Sequence, residues 1–170
     1  MKKIIIVFLA VIVGLTFWMV IKQRSFNPLS QREYESLFSE FGDIKMLYGE
    51  DAVKIDLHGD IIDYYIFQTD HCVIDSSFPD NLDNWGSHQL DSMCRLIKWT
   101  KNSPDIPVEI SKKWNEVSDN FTNNRRKKEF SNALKDTCNY ISYIQCNELN
   151  YYLFIFCPQN GLFFYHRLDL

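Results

Sequence analysis

The stretch that most limits how this chain can fold is "YYLFIFC", residues 151–157. Successive side chains of a strand point to opposite faces, so a run that is apolar at every position must be covered on both sides. That requirement puts it in the middle of a sheet with layers packed above and below. Two similar runs flank it, "NYISYIQ" before and "LFFYHRL" after, separated by "NEL" and "PQNG". Asn160-Gly161 has the chemistry of a tight hairpin turn. The C-terminal part therefore predicts a three-stranded antiparallel meander whose middle strand is the innermost.

Helical signals lie upstream. In "NPLSQREYESLFSEFGD", Ser30 and Glu33 have capping-box spacing, and Tyr34, Leu37, Phe38 and Phe41 form one apolar stripe. Gly42 is a natural stop. "DIKMLYGE" suits a short strand. "AVKIDLHGDIIDYYIFQ" predicts an early hairpin turning at "HGD", since Val53, Ile55 and Leu57 alternate with Lys54, Asp56 and His58. Leu90, Met93, Cys94 and Ile97 have helical spacing, as do Ile110, Trp114, Val117 and Phe121. A further helix follows "NNRRKKEF", with Phe130, Ala133, Leu134 and Cys138 inward. The order of helix, strands, helices and strands predicts an α+β domain: a largely antiparallel sheet, early hairpin plus C-terminal meander, with about four helices against it.

The first residues belong to none of this. From Ile4 to Ile21 the chain runs eighteen residues without a charge, bracketed by Lys2 and Lys3 before and Lys22 and Arg24 after. As a helix this reaches about 27 Å, close to the hydrocarbon thickness of a bilayer. A cleaved signal peptide has a shorter apolar region and small residues before the cut, whereas this run ends in "TFWMVIKQR". A lipoprotein signal needs a cysteine just after the run, and the first cysteine is Cys72. The reading is a signal anchor over residues 1–24 and one extracytoplasmic domain over 25–170, in a bacterium periplasmic and held to the inner membrane. The alternatives are a cleaved, exported protein and a cytoplasmic domain.

Charge is uneven along the chain. Residues 50–91 hold ten acids and one base, and residues 92–135 hold ten bases and five acids. Solvated faces explain such runs, and so does an acidic surface that meets a basic protein partner. Asp56, Asp60, Asp63, Asp70 and Asp75 are the residues of that candidate acidic face. "NNRRKKEF" lacks interleaved aromatics, and no nucleic-acid partner is expected.

Chemistry-bearing motifs are weak. Cys72 would need His58, His88 or His166 brought to it by the fold, because the adjacent His71 points to the other face of a strand. Asp56, Asp60 and Asp63 flank the expected hairpin turn, where two carboxyls suitably spaced can hydrolyse a glycan, although turn and solvent-face roles explain Asp60 and Asp63 more simply. His58, His71, Cys72 and His88 fit no metal-ligand spacing, and no cofactor fingerprint is present. The five cysteines leave at least one unpaired, and a bond among Cys138, Cys146 and Cys157 would cross-link the meander.

These features predict a membrane-anchored protein-binding module, one form of which is an immunity or inhibitor protein against an exported toxin. The alternatives are a small cell-envelope hydrolase using Cys72 or the Asp56/Asp60/Asp63 set, and an accessory subunit of a membrane complex.

Overall fold

The computed structural model of the chain describes residues 2–23, 29–51, 61–70, 74, 94–102, 111–112, 114–115, 118–119, 121–146 and 150–169. Six strands, β1 (Ile44–Asp51), β2 (Ile61–Thr69), β3 (Arg95–Lys101), β4 (Tyr140–Gln145), β5 (Tyr151–Cys157) and β6 (Leu162–Asp169), form one sheet. Its order is β1-β2-β6-β5-β4-β3, and every neighbouring pair is antiparallel. The α+β class and the C-terminal meander stand as the sequence predicts. β5 is buried at every position between β4 and β6, which satisfies its two-faced apolar pattern.

Each face of the sheet carries its own apolar core. One is closed by helix α2 (Gln31–Leu37) and the 3-10 turn Ser39–Phe41. Ser30 and Glu33 form the expected capping box at the start of α2. Phe38 is fully buried here, its ring 4.9 Å from that of Phe163, 5.3 Å from Phe67 and 5.5 Å from Tyr165. The other face is closed by α3 (Asn124–Lys135) together with Trp114 and Phe121. Trp114 stacks on Phe130 at 3.9 Å and donates its indole N–H to Ser131 Oγ at 2.9 Å. Asn102 Nδ2 donates to the Leu134 carbonyl and Asn139 Nδ2 to the Ala133 carbonyl, both at 2.8 Å. These bonds satisfy carbonyls that the end of α3 would otherwise orphan.

Four expectations are corrected. Residues 95–101 are strand β3, not part of a helix through Leu90 and Ile97. β3 pairs along β4 with an irregularity between Ile97 and Thr100, so Lys98 and Trp99 lie together opposite Ser142. Ser142 Oγ donates to the Ile97 carbonyl at 2.7 Å at that irregularity. Second, the strand paired with β2 is β1, with a bulge at Leu47. Residues 52–60, which hold the first arm and turn of the expected "HGD" hairpin, lie outside the described residues.

Third, Cys138 is exposed beyond the end of α3 rather than inward, and the disulfide is Cys94–Cys146. The β3–β4 ladder ends on Arg95 opposite Gln145, which brings Cys94 and Cys146 together on the next rung. In the β4–β5 register Tyr140 faces Phe156, so Asn139 rather than Cys138 is next in line with Cys157. Cys146 sits at the far end of that same ladder, beyond Gln145 and Tyr151. Cys138 and Cys157 are free thiols.

The fourth concerns the first helix. α1 runs unbroken from Lys2 to Gln23. Its described side chains, residues 7–18, are all exposed, the large apolar ones by 41 % to 67 %. They cover about 18 Å of helix. Among the described residues no helix is long and apolar enough to cross a membrane, so the described part of α1 falls short of the span expected over Ile4–Ile21.

Candidate functional site

The described acids of the predicted acidic face do not lie together. Asp63 stands near the start of β2 and Asp70 follows its last residue, exposed. At strand rise they are about 23 Å apart. Asp56, Asp60, Asp75, Cys72, His58, His71 and His88 lie outside the described residues. Among the described residues no three His, Cys, Asp or Glu side chains converge as a metal site requires.

Asp63 is a half-buried residue with neighbours on both sides, not a free solvent-face acid. It faces Asp51 of β1 on one side and Arg167 of β6 on the other. The row continues to Tyr152 of β5, whose ring centre is 6.0 Å from the Arg167 guanidinium. The Tyr65 hydroxyl donates to Asp63 Oδ2 at 3.4 Å and accepts from the Leu29 amide at 3.4 Å. Burial, reinforced by the Asp51 charge, pushes the Asp63 carboxyl up to about 7, against the pull of Arg167 and the Tyr65 hydrogen bond. A carboxyl that exchanges its proton near neutrality, beside a second carboxyl and a guanidinium, is chemically equipped for proton transfer. Directly opposite strand residues hold their Cβ atoms about 4.5–5.5 Å apart, within reach of the spacing retaining glycosidases use.

The parity of β2 carried the signal for this site. Asp63 shares its face with Tyr65 and Phe67, and a charge on an otherwise apolar parity is unexpected. Arg167 shows the same anomaly beside Phe163 and Tyr165.

The opposite face holds His166, the one described histidine. It has no exposed surface and lies across from Tyr64 of β2 and Leu153 of β5. It therefore cannot reach outward to serve a surface cysteine. Its place was legible in "LFFYHRL", where it shares parity with the core residues Phe164 and Leu168.

A third polar cluster joins the edge of the sheet to α3. Glu50 accepts from the Tyr48 hydroxyl and the Thr122 amide, each at 2.6 Å, and from the Thr122 hydroxyl. Burial alone would raise the Glu50 carboxyl, but the bonds from Thr122 and Tyr48 outweigh it and hold the group below its ordinary range. Tyr48 is pushed up to about 12 by burial and then by Glu50. The Arg126 guanidinium lies 5.6 Å from the centre of its ring. The arrangement pins β1 to the entry of α3, where Asn123 Oδ1 caps the helix by accepting from the Arg126 amide.

An open groove of about 220 Å³ runs between the end of α3 and the β5–β6 turn, lined by Glu129, Asn132, Asp136, Cys157, Gln159 and Phe164 among others. Its polar groups are largely engaged: Glu129 pairs with Arg125 and Arg126, and Asp136 accepts from the Cys138 amide. Cys157 is held as a protonated thiol, pushed up to about 12 by burial and then by Asp136, which makes it a poor nucleophile.

Fold and sites together define a class: a six-stranded antiparallel α+β domain, helix-covered on both faces and preceded by an apolar helix. Comparison with known proteins adds no family to that class, since no family model, no curated protein and no solved structure matches the chain.

Proposed function

We propose that this chain is a single-pass membrane protein whose α+β domain lies on the extracytoplasmic side and binds another protein. The observation that carries the reading is α1, one unbroken helix whose described apolar side chains all face outward. Its one described hydroxyl is satisfied internally, with Thr16 Oγ1 donating to the Ile12 and Val13 carbonyls at 2.9 and 3.0 Å. A helix without unmet polar groups is what a lipid environment demands. The uncharged sequence Ile4–Ile21 extends the same apolar character to a full span. The Cys94–Cys146 disulfide supports the extracytoplasmic side, where such bonds persist. In a bacterium the anchor sits in the inner membrane and the domain in the periplasm.

The partner is a basic protein, steered by the acid-rich segment 50–91, and an exported toxin neutralised at the membrane is the specific form this takes. Pull-down of the full chain from native membranes tests the reading. Asp63 is engaged with Arg167 and Tyr65, so the variant set is Asp56, Asp60, Asp70 and Asp75 to Asn. Capture of a basic protein that weakens at least tenfold in this variant is the expected result. Undiminished capture removes the acidic face from the account.

One observation favours a second reading, hydrolysis in the cell envelope: Asp51 and Asp63 face each other and the Asp63 proton is exchangeable near neutrality. Release of soluble fragments from cell-wall glycan, abolished in both Asp51→Asn and Asp63→Asn, would establish it.

A further inference from the structure

His166 is enclosed by aromatic rings. Ring centres lie 5.2 Å away at Trp114, 5.4 Å at Tyr151, 5.9 Å at Phe130 and 6.2 Å at Phe121. Neither imidazole nitrogen has a hydrogen-bond partner among the described residues, and neither does the Tyr64 hydroxyl opposite. The groups that face the imidazole from β2 and β5 are the phenols of Tyr64 and Tyr151. Those from α3 and the segment before it are the rings of Phe130, Trp114 and Phe121. A neutral imidazole is tolerated in such a box. An imidazolium there loses its hydration and finds no hydrogen-bond partner among the described residues, and the ring quadrupoles return only part of the loss.

We propose that His166 is an acid trigger: when its imidazole takes up a proton, the layer made by Trp114, Phe121 and α3 lifts from its face of the sheet, while the α2 face stays closed. The sign follows from where the proton binds. Burial alone pushes the enclosed imidazole down to about 3, whereas an imidazole released to water titrates at its ordinary value of about 6.5. Closure is therefore favoured in full above about pH 6.5 and weakens as pH falls towards about 3, with up to one proton taken up per opening. Asp63, on the opposite face, has the reverse sign, because its raised carboxyl gains a proton in the folded state first. Global unfolding mixes the two, and a local probe separates them.

The test is amide hydrogen exchange on the full chain between pH 7.5 and 4.5, corrected for intrinsic rates. Protection of α3 amides (124–135) should fall by up to about tenfold per pH unit below pH 6.5, while amides of α2 (31–37) hold. His166→Phe should abolish the fall, and a variant with His58, His71 and His88 all changed to Gln should keep it. If His166→Phe does not fold, proton NMR of the wild-type imidazole decides. The ring should remain neutral wherever α3 is protected. Protection of α3 that is flat with pH, an equal fall in His166→Phe, or an imidazole titrating near 6.5 with α3 intact would overturn the proposal.

Discussion

Asp63 and His166 stand one rung apart on the β2–β6 ladder and face opposite sides of the sheet. Asp63 pairs with Arg167, and His166 pairs with Tyr64. Burial acts on both and moves them in opposite directions, the carboxyl up to about 7 and the imidazole down to about 3. Acidification from pH 7 towards 4 should therefore favour the folded state at Asp63 and disfavour it at His166.

Asp63→Asn should expose this opposition. The folded carboxyl is protonated more readily than the unfolded one, so Asp63 costs stability above pH 7 and returns it as pH falls through about 7. Urea unfolding should show the variant more stable than wild type at pH 8, with the advantage shrinking below pH 7 and gone by about pH 4. Below pH 6.5 the variant should lose stability more steeply, since only the His166 effect remains. A variant less stable at pH 8 would mean that the partnership with Arg167 outweighs burial.

Gly161 carries the β5–β6 turn with φ +65°, and a Cβ there would lie 2.5 Å from the Thr69 carbonyl oxygen. The Gly161 carbonyl in turn accepts from the Thr69 amide at 2.9 Å, so the turn cannot simply move away from β2. Gly161→Ala should cost about 1–3 kcal/mol in denaturant unfolding, from backbone strain and the clash together. A change below about 0.5 kcal/mol would show that the turn relaxes freely.

Phe38 and Ser30 belong to the same helical segment and should differ in cost. Phe38→Ala empties a fully buried site among Phe67, Phe163 and Tyr165, at about 3–5 kcal/mol. Ser30→Ala removes only the cap on the Glu33 amide, at about 1 kcal/mol. Equal losses in thermal unfolding would contradict the two-core description.

The disulfide bridges residues 52 apart in sequence. Replacing Cys94 and Cys146 by Ser should lower stability by about 2–4 kcal/mol. Peptide mapping without reduction should recover Cys94 linked to Cys146, with Cys138 and Cys157 alkylated after unfolding.

Much of this was legible in the chain itself. "YYLFIFC" announced an inner strand, Ser30 and Glu33 announced a helix start, and Phe130, Ala133 and Leu134 announced the buried face of α3. The losses cluster at irregular strand pairing. Placing Lys98 and Trp99 together opposite Ser142 breaks the two-residue period of β3, so its apolar residues resemble a helical stripe. β1 was legible as a short strand in "DIKMLYGE", but not its pairing with β2 around the bulge at Leu47. In sequence Asp63 stands out but reads as a turn or solvent-face residue, His166 reads only as a candidate partner for Cys72, and Arg167 is not singled out. Strand parity, which follows the backbone regardless of charge, puts each of them on a face shared with core residues.

The central claim is an anchored domain displayed outside the cytoplasm, and protease treatment of intact spheroplasts tests it most directly. The full-length chain should sediment with carbonate-washed inner membranes, and protease added from outside should digest residues 25–170. A chain recovered in the soluble fraction, or a domain protected until the membrane is broken, would contradict it.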